Sequence, residues 1–143
     1  MSDASCPQLQ RSDGPLAIIV EDESLVALYL EDALDTLGFR CCGIARSADQ
    51  AVSMVETYRP AVALVDIGLA GKRDGVSLAR ELTDRFGTAV VFLSGSDDQA
   101  TRQRAASARP HGFLSKPCTE HEIASALDSV LTRSAATEPS PDG

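Results

Sequence analysis

Short apolar runs alternate with longer amphipathic stretches along most of this chain. LAIIV (16–20), AVALV (61–65) and AVVFL (89–93) are uninterrupted and rich in Val and Ile, a pattern that predicts strands buried on both faces. FRCCGIA (39–45) and GFLS (112–115) are weaker strand candidates. Between them the period changes to that of a helix. Over 24–37, Val26, Leu30, Ala33, Leu34 and Leu37 share one face, and Gly38 supplies a stop. SADQAVSMVETY opens on Ser47 with Gln50 three residues later, and TEHEIASALDSVL repeats the device with Thr119 and Glu122. Both spacings predict a capping box. DGVSLARELTDRF contributes Val76, Leu78, Ala79, Leu82 and Phe86 to a further helix.

The order is strand then helix, five times over, with short connections. That order predicts a parallel sheet wrapped by helices on both faces, with ligands collecting beyond the carboxyl ends of the strands. The helix expected at about 97–107 is different in kind. It offers Ala but no Leu, Ile, Val or Phe, so it buries little and is expected to be the most movable of the set. Arg102, Arg104 and Arg109 cluster in QATRQRAASARP (99–110), as a solvated face or as part of a docking surface.

Composition narrows the class. A chain of 143 residues with 43% hydrophobic and 24% charged residues is ordinary for one globular domain. The expected division is a loose segment at 1–14, a domain at 15–133 and a small-residue tail at 134–143, SAATEPSPDG. No run of eighteen apolar residues exists, and MSDASCPQLQRSDGP lacks the apolar centre of a signal peptide. No membrane partner and a cytoplasmic location are therefore expected. A formal charge of −8 argues against sequence-independent nucleic-acid binding. Cys41 and Cys42 are adjacent, Cys6 and Cys118 lie far off, and there are two histidines, His111 and His121, with no C-x-x-C pair. Reduced, structurally incidental thiols are expected, not a zinc site.

The candidate chemistry stands at the strand ends. PAVALVDIGLAGKRDG (60–75) ends its apolar run on Asp66, although a buried carboxylate is costly unless paired. The first strand ends on Glu21 and Asp22, the fourth on Ser94, and the fifth delivers Lys116. Taken singly, each has an ordinary reading: Asp66 and Ser94 as turn-formers, Glu21 and Asp22 as acids at a helix start, Lys116 as a surface charge, Phe113 as core. Convergence of four strand ends on one rim outweighs those readings. Like carboxylates at about 4 Å repel by roughly 4 kcal/mol at an effective dielectric near 20, so a cation is implied. An all-oxygen set favours Mg²⁺. With Lys116 and Ser94 opposite, the pocket suits a phosphoryl group, and Asp66 is its natural nucleophile.

VEDES, LVDIGLAG…DG, FLSGSDD and GFLSKP, in this order and spacing, resemble the receiver domain of two-component response regulators over about residues 16–133. The resemblance implies a flavodoxin-like, doubly wound (βα)5 fold with strand order 2-1-3-4-5. It implies that Asp66 accepts a phosphoryl group from a histidine kinase or histidine phosphotransfer protein. Asp22 would bind Mg²⁺ (or Mn²⁺) directly, Glu21 through water, with Asp66 and the Gly68 carbonyl completing the ligands. Ser94 would bond the phosphoryl oxygen, Lys116 would pair with it, Lys116–Pro117 would be cis, and Phe113 would change rotamer with Ser94. The implied activity is self-phosphorylation and slow autodephosphorylation, not catalysis on another substrate.

Three positions depart mildly from the family pattern. Glu21 stands where Asp is commoner, Ser94 where Thr is commoner and Phe113 where Tyr is commoner. Phe113 brings no phenolic hydrogen bond to lock a switched state. Gly68 and Ser96 are small and are expected to shield the phosphoryl little from water. Output is expected through contact with a downstream protein by a stand-alone receiver, monomeric or weakly dimeric through the 97–133 face. The alternatives are a degenerate receiver acting as a scaffold and a fragment of a hybrid kinase. An aspartyl phosphatase is disfavoured, because Gly68 stands where its second Asp belongs and Asp66 is on the third strand.

Overall fold

The computed structural model describes residues 14–69, 74–95 and 103–137, with 131–137 described for the backbone alone. Strand β1 (Leu16–Val20) leads to α1 (Ser24–Thr36), β2 (Arg40–Ala45), α2 (Ala48–Tyr58) and β3 (Val62–Asp66). Then come α3 (Gly75–Phe86), β4 (Ala89–Ser94), a 3-10 turn at Ala106–Ala108, β5 (Gly112–Ser115) and α4 (Glu120–Thr137). All four strand pairings are parallel, and the order is β2-β1-β3-β4-β5, as the resemblance implied.

Each face of the sheet carries its own core. Ile18, Val20, Ala63, Val65 and Phe92 face Ala51 and Val55 of α2 and Leu78, Ala79 and Leu82 of α3. Ile19, Leu64, Val91 and Leu93 face Leu30 and Leu34 of α1 and Ile123 and Leu127 of α4. Period-2 alternation sends successive side chains to opposite cores, which is why these strands read as unbroken apolar runs. All of β3 is buried, so its position is held from both sides.

The helix starts follow the sequence with one correction. Thr119 and Glu122 form the reciprocal box: Glu122 N–H donates to Thr119 Oγ1 at 3.1 Å and Thr119 N–H donates to Glu122 Oε1 at 2.9 Å. At α2 the Gln50 N–H donates to Ser47 Oγ at 3.2 Å, but Gln50 Oε1 accepts from the Arg46 amide at 2.7 Å, one residue earlier than the box predicts. Helix α4 runs to Thr137, four residues past the boundary expected at 133. Of the helix expected at 97–107, residues 97–102 lie outside the described residues, and 103–105 are helical before the 3-10 turn. Ala105 and Ala108 are buried among the described residues of this segment. Residues 1–13 and 138–143, expected to be loose, also lie outside the described residues.

The strand order reverses between β1 and β3, which opens a crevice at their carboxyl ends. Val20 pairs with Val65, so Glu21 and Asp66 follow side by side. Ser94 pairs with Ser115, and the next amide, Lys116 N–H, donates to the Ser94 carbonyl at 2.8 Å.

Candidate functional site

Glu21, Asp22 and Asp66 present carboxylate oxygens that all lie within 4.8 Å of one another. Glu21 is fully buried and Asp66 nearly so, whereas Asp22 is exposed. Backbone amides orient the two buried acids. Gly68 N–H donates to Asp66 Oδ1 at 3.0 Å, and Glu23 N–H donates to Glu21 Oε2 at 3.0 Å. Leu69 N–H donates to the Asp66 carbonyl at 3.1 Å and closes the turn after β3.

Lys116 reaches this cluster from β5. Its Nζ stands 3.3 Å from Glu21 Oε1, 3.5 Å from Asp66 Oδ1 and 3.5 Å from Glu23 Oε1. Burial draws its ammonium downward, but the charges of Asp66, Glu21 and Glu23 outweigh that and hold its pKa above the ordinary value. Burial also pushes the Glu21 carboxyl above its usual range. Asp66 adds to that effect, while the Glu23 amide and Lys116 oppose it without cancelling it. Among the described residues, one ammonium faces four carboxylates, and this all-oxygen donor set fits a hard divalent cation such as Mg²⁺.

Ser94 Oγ is buried and has no hydrogen-bond partner among the described residues. A buried hydroxyl without a partner is costly, and this one ends the strand beside β3, whose Asp66 pairs with Leu93. Phe113 packs on Phe92, ring centroids 5.6 Å apart and 28° between planes. Lys116–Pro117 is cis. The sequence-predicted residues Glu21, Asp22, Asp66, Gly68, Ser94 and Lys116 are therefore brought to one rim, with Phe113 on β5 three residues before Lys116. Ser96 and Arg102 lie outside the described residues.

Several neighbours were not legible beforehand. Glu23, read only as part of VEDES, reaches Lys116. Tyr29 OH donates to the Cys118 carbonyl at 2.8 Å, joining α1 to the loop after β5. Between them lies a groove of about 610 Å³ bordered by Leu25, Val26, Tyr29, Leu93, Lys116 and Pro117. Leu25 is 83% exposed, so apolar surface adjoins the acid cluster. Arg104 pairs with Asp74, the residue before α3. No helix among the described residues is long and apolar enough to cross a membrane.

The sequence model of the response regulator receiver domain matches residues 17–128. The chain belongs to that family. It is 26% identical over 116 residues to the transcriptional regulatory protein PdtaR of Mycobacterium tuberculosis, covering 81% of this chain and 56% of that one. It is 29% identical over 116 residues to the phyllosphere-induced regulator PhyR of Methylorubrum extorquens, covering 80% and 42%. The chain thus spans about half the length of these curated relatives. Against a probable chemotaxis protein CheY of Rhizobium etli it is 28% identical over 117 residues, with 80% and 90% covered. Among solved structures, the signal receiver domain of a modulated diguanylate cyclase from Desulfovibrio desulfuricans aligns with a TM-score of 0.81 at 32% identity, covering 87% of this chain and 98% of that one.

Proposed function

We propose that this chain is a phosphorylatable switch whose acceptor is Asp66. An approaching phosphohistidine places its phosphorus at the mouth of the acid cluster. An Asp66 carboxylate oxygen forms the new P–O bond, the P–N bond to the donor imidazole breaks, and the imidazole leaves with its electron pair and takes up a proton. Lys116, already 3.5 Å from Asp66 Oδ1, keeps its proton and turns its charge to the phosphoryl oxygens. Ser94 donates its hydroxyl to one of them, gaining a hydrogen bond that it lacks among the described residues. Mg²⁺, held by Glu21, Asp22, Asp66 and the Gly68 carbonyl, would neutralise charge on the transferring group.

One observation carries this reading: a buried carboxylate beside two other acids faces an ammonium, next to a buried hydroxyl without a partner among the described residues. The partners are a histidine kinase or histidine phosphotransfer protein as donor and a downstream protein as reader. The apolar groove beside Lys116 suits a protein donor, since it offers burial close to the acceptor. Intact mass after incubation with phosphoramidate tests the reading. One added phosphoryl group that requires both Mg²⁺ and Asp66, and is lost in Asp66→Asn, is the expected result. No adduct under conditions where a control receiver labels would favour a phosphorylation-independent scaffold.

A further inference from the structure

We propose that Arg104 is a positioning residue for Asp66, acting through the start of α3 at Asp74–Gly75. The proposal rests on the reading of Asp66 as the phosphoryl acceptor. Arg104 Nη2 pairs with Asp74 Oδ2 from 30 positions away. The other carboxylate oxygen, Asp74 Oδ1, accepts from Ser77 N–H at 2.9 Å and caps α3. Asp74 is thus fixed from two sides, by its own helix and by the segment after β4.

The next residue gives that restraint its consequence. A Cβ at Gly75 would lie 2.4 Å from the Asp66 carbonyl oxygen and 3.2 Å from Ile67 Cα. The backbone at the start of α3 therefore rests directly on the backbone of the acceptor, and a shift of one is transmitted to the other. Only a residue without a side chain permits this approach. Holding Asp74 holds Gly75 against Asp66, and with it the Gly68 and Leu69 amides that bond Asp66.

Arg104 itself stands on a weakly buried base. Its segment is anchored in the core by Ala105 and Ala108. Small side chains bury little apolar area, so polar ties carry a larger share of the docking. Among the described residues, two such ties reach α3. Besides the Arg104–Asp74 pair, Arg80 Nη2 donates to Ser107 Oγ at 2.5 Å, and Ser107 Oγ donates to the Arg104 carbonyl at 2.8 Å. The pair is half exposed, and exposed pairs contribute little to global stability. Its effect is accordingly local, at the turn on which Gly75 leans.

The test is hydrogen exchange on the Mg²⁺-free protein, followed by the Mg²⁺ dependence of phosphoramidate labelling. In Arg104→Gln the Gly68 and Leu69 amides are expected to exchange about three- to fivefold faster, the change an exposed ion pair supports. Half-saturating Mg²⁺ for labelling should rise by a similar factor while the plateau rate is kept. Asp74→Asn retains a capping oxygen and should reproduce both effects. The double variant should be no worse than either single, and Arg104→Lys should recover part of the loss. Unchanged exchange at Gly68 and Leu69, additive single effects, or a uniform rise across the whole chain would each overturn the proposal. Exchange is read without phosphorylation, so failure of Asp66 labelling in the wild type is a separate result that strikes only the acceptor reading.

Discussion

Lys116 and Glu21 stand 95 positions apart in the chain, yet the ammonium lies 3.3 Å from a carboxylate with no exposed surface. Strands β3 and β4 separate the two strands that carry them. The contact is possible because parallel strands end at the same level, so a long side chain from the last strand can lie across the ends of its neighbours.

Lys116→Ala should destabilise the divalent-free protein. It leaves Glu21 and Asp66 facing each other without their cation, and removing one partner of a buried pair costs about 3–5 kcal/mol. Lys116 is partly exposed, so about 2 kcal/mol is expected. Urea unfolding in EDTA measures this, and Mg²⁺ should restore part of the loss. An unchanged midpoint would mean that the acids do not depend on Lys116.

Ser94→Ala should have the opposite sign. Its hydroxyl is buried without a partner among the described residues, and deleting an unsatisfied buried polar group recovers about 1 kcal/mol of its desolvation cost. The unphosphorylated variant should unfold at higher urea with an unchanged slope. Its labelling by phosphoramidate should be slower, because the phosphoryl oxygen loses a donor.

Asp74 predicts a pH dependence. The Ser77 amide, with the Arg104 charge adding to it, holds this carboxyl below its ordinary value of 3.8. A depressed folded pKa contributes stability that is present above the unfolded value and lost as pH falls through the folded one. The stability difference between wild type and Asp74→Asn should therefore be constant near neutrality and shrink as pH drops below 3.8. Urea midpoints at closely spaced pH values would reveal it, and a pH-independent difference would contradict the lowering of this carboxyl by the Ser77 amide and the Arg104 charge.

Cys41, Cys42 and Cys118 should be unreactive. Burial pushes the Cys41 thiol up to about 11, and burial raises Cys42 and Cys118 as well. At pH 8 a pKa of about 11 leaves roughly one Cys41 in a thousand as thiolate, the reactive form. Iodoacetamide should label Cys41 far more slowly than an exposed model thiol, read by peptide mass. Rapid labelling would contradict the burial that raises the Cys41 thiol.

How much of this was legible in advance differs between the elements. LAIIV, AVALV and AVVFL became β1, β3 and β4 within a residue of their predicted ends, because a strand with a core on each side must be apolar at every position. Thr119 and Glu122 capped α4 as their spacing predicted, since a cap is decided within four residues. Gln50 did not complete its box. Its side chain could reach two successive amides, and the course of the chain at Arg46 chose between them.

The acids at strand ends could be read for the same local reason: each follows directly on an apolar run, and parallel strands bring such ends together. Glu23 reaching Lys116, Tyr29 bonding the Cys118 carbonyl and Arg104 bonding Asp74 could not. These contacts join elements whose separation depends on how helices seat on the sheet and where loops turn back. The sequence by itself determined which residues are strand, helix and acid cluster, through short-range period and burial. Only the tertiary structure decided which side chains meet across elements, because those distances are set by packing of the whole chain.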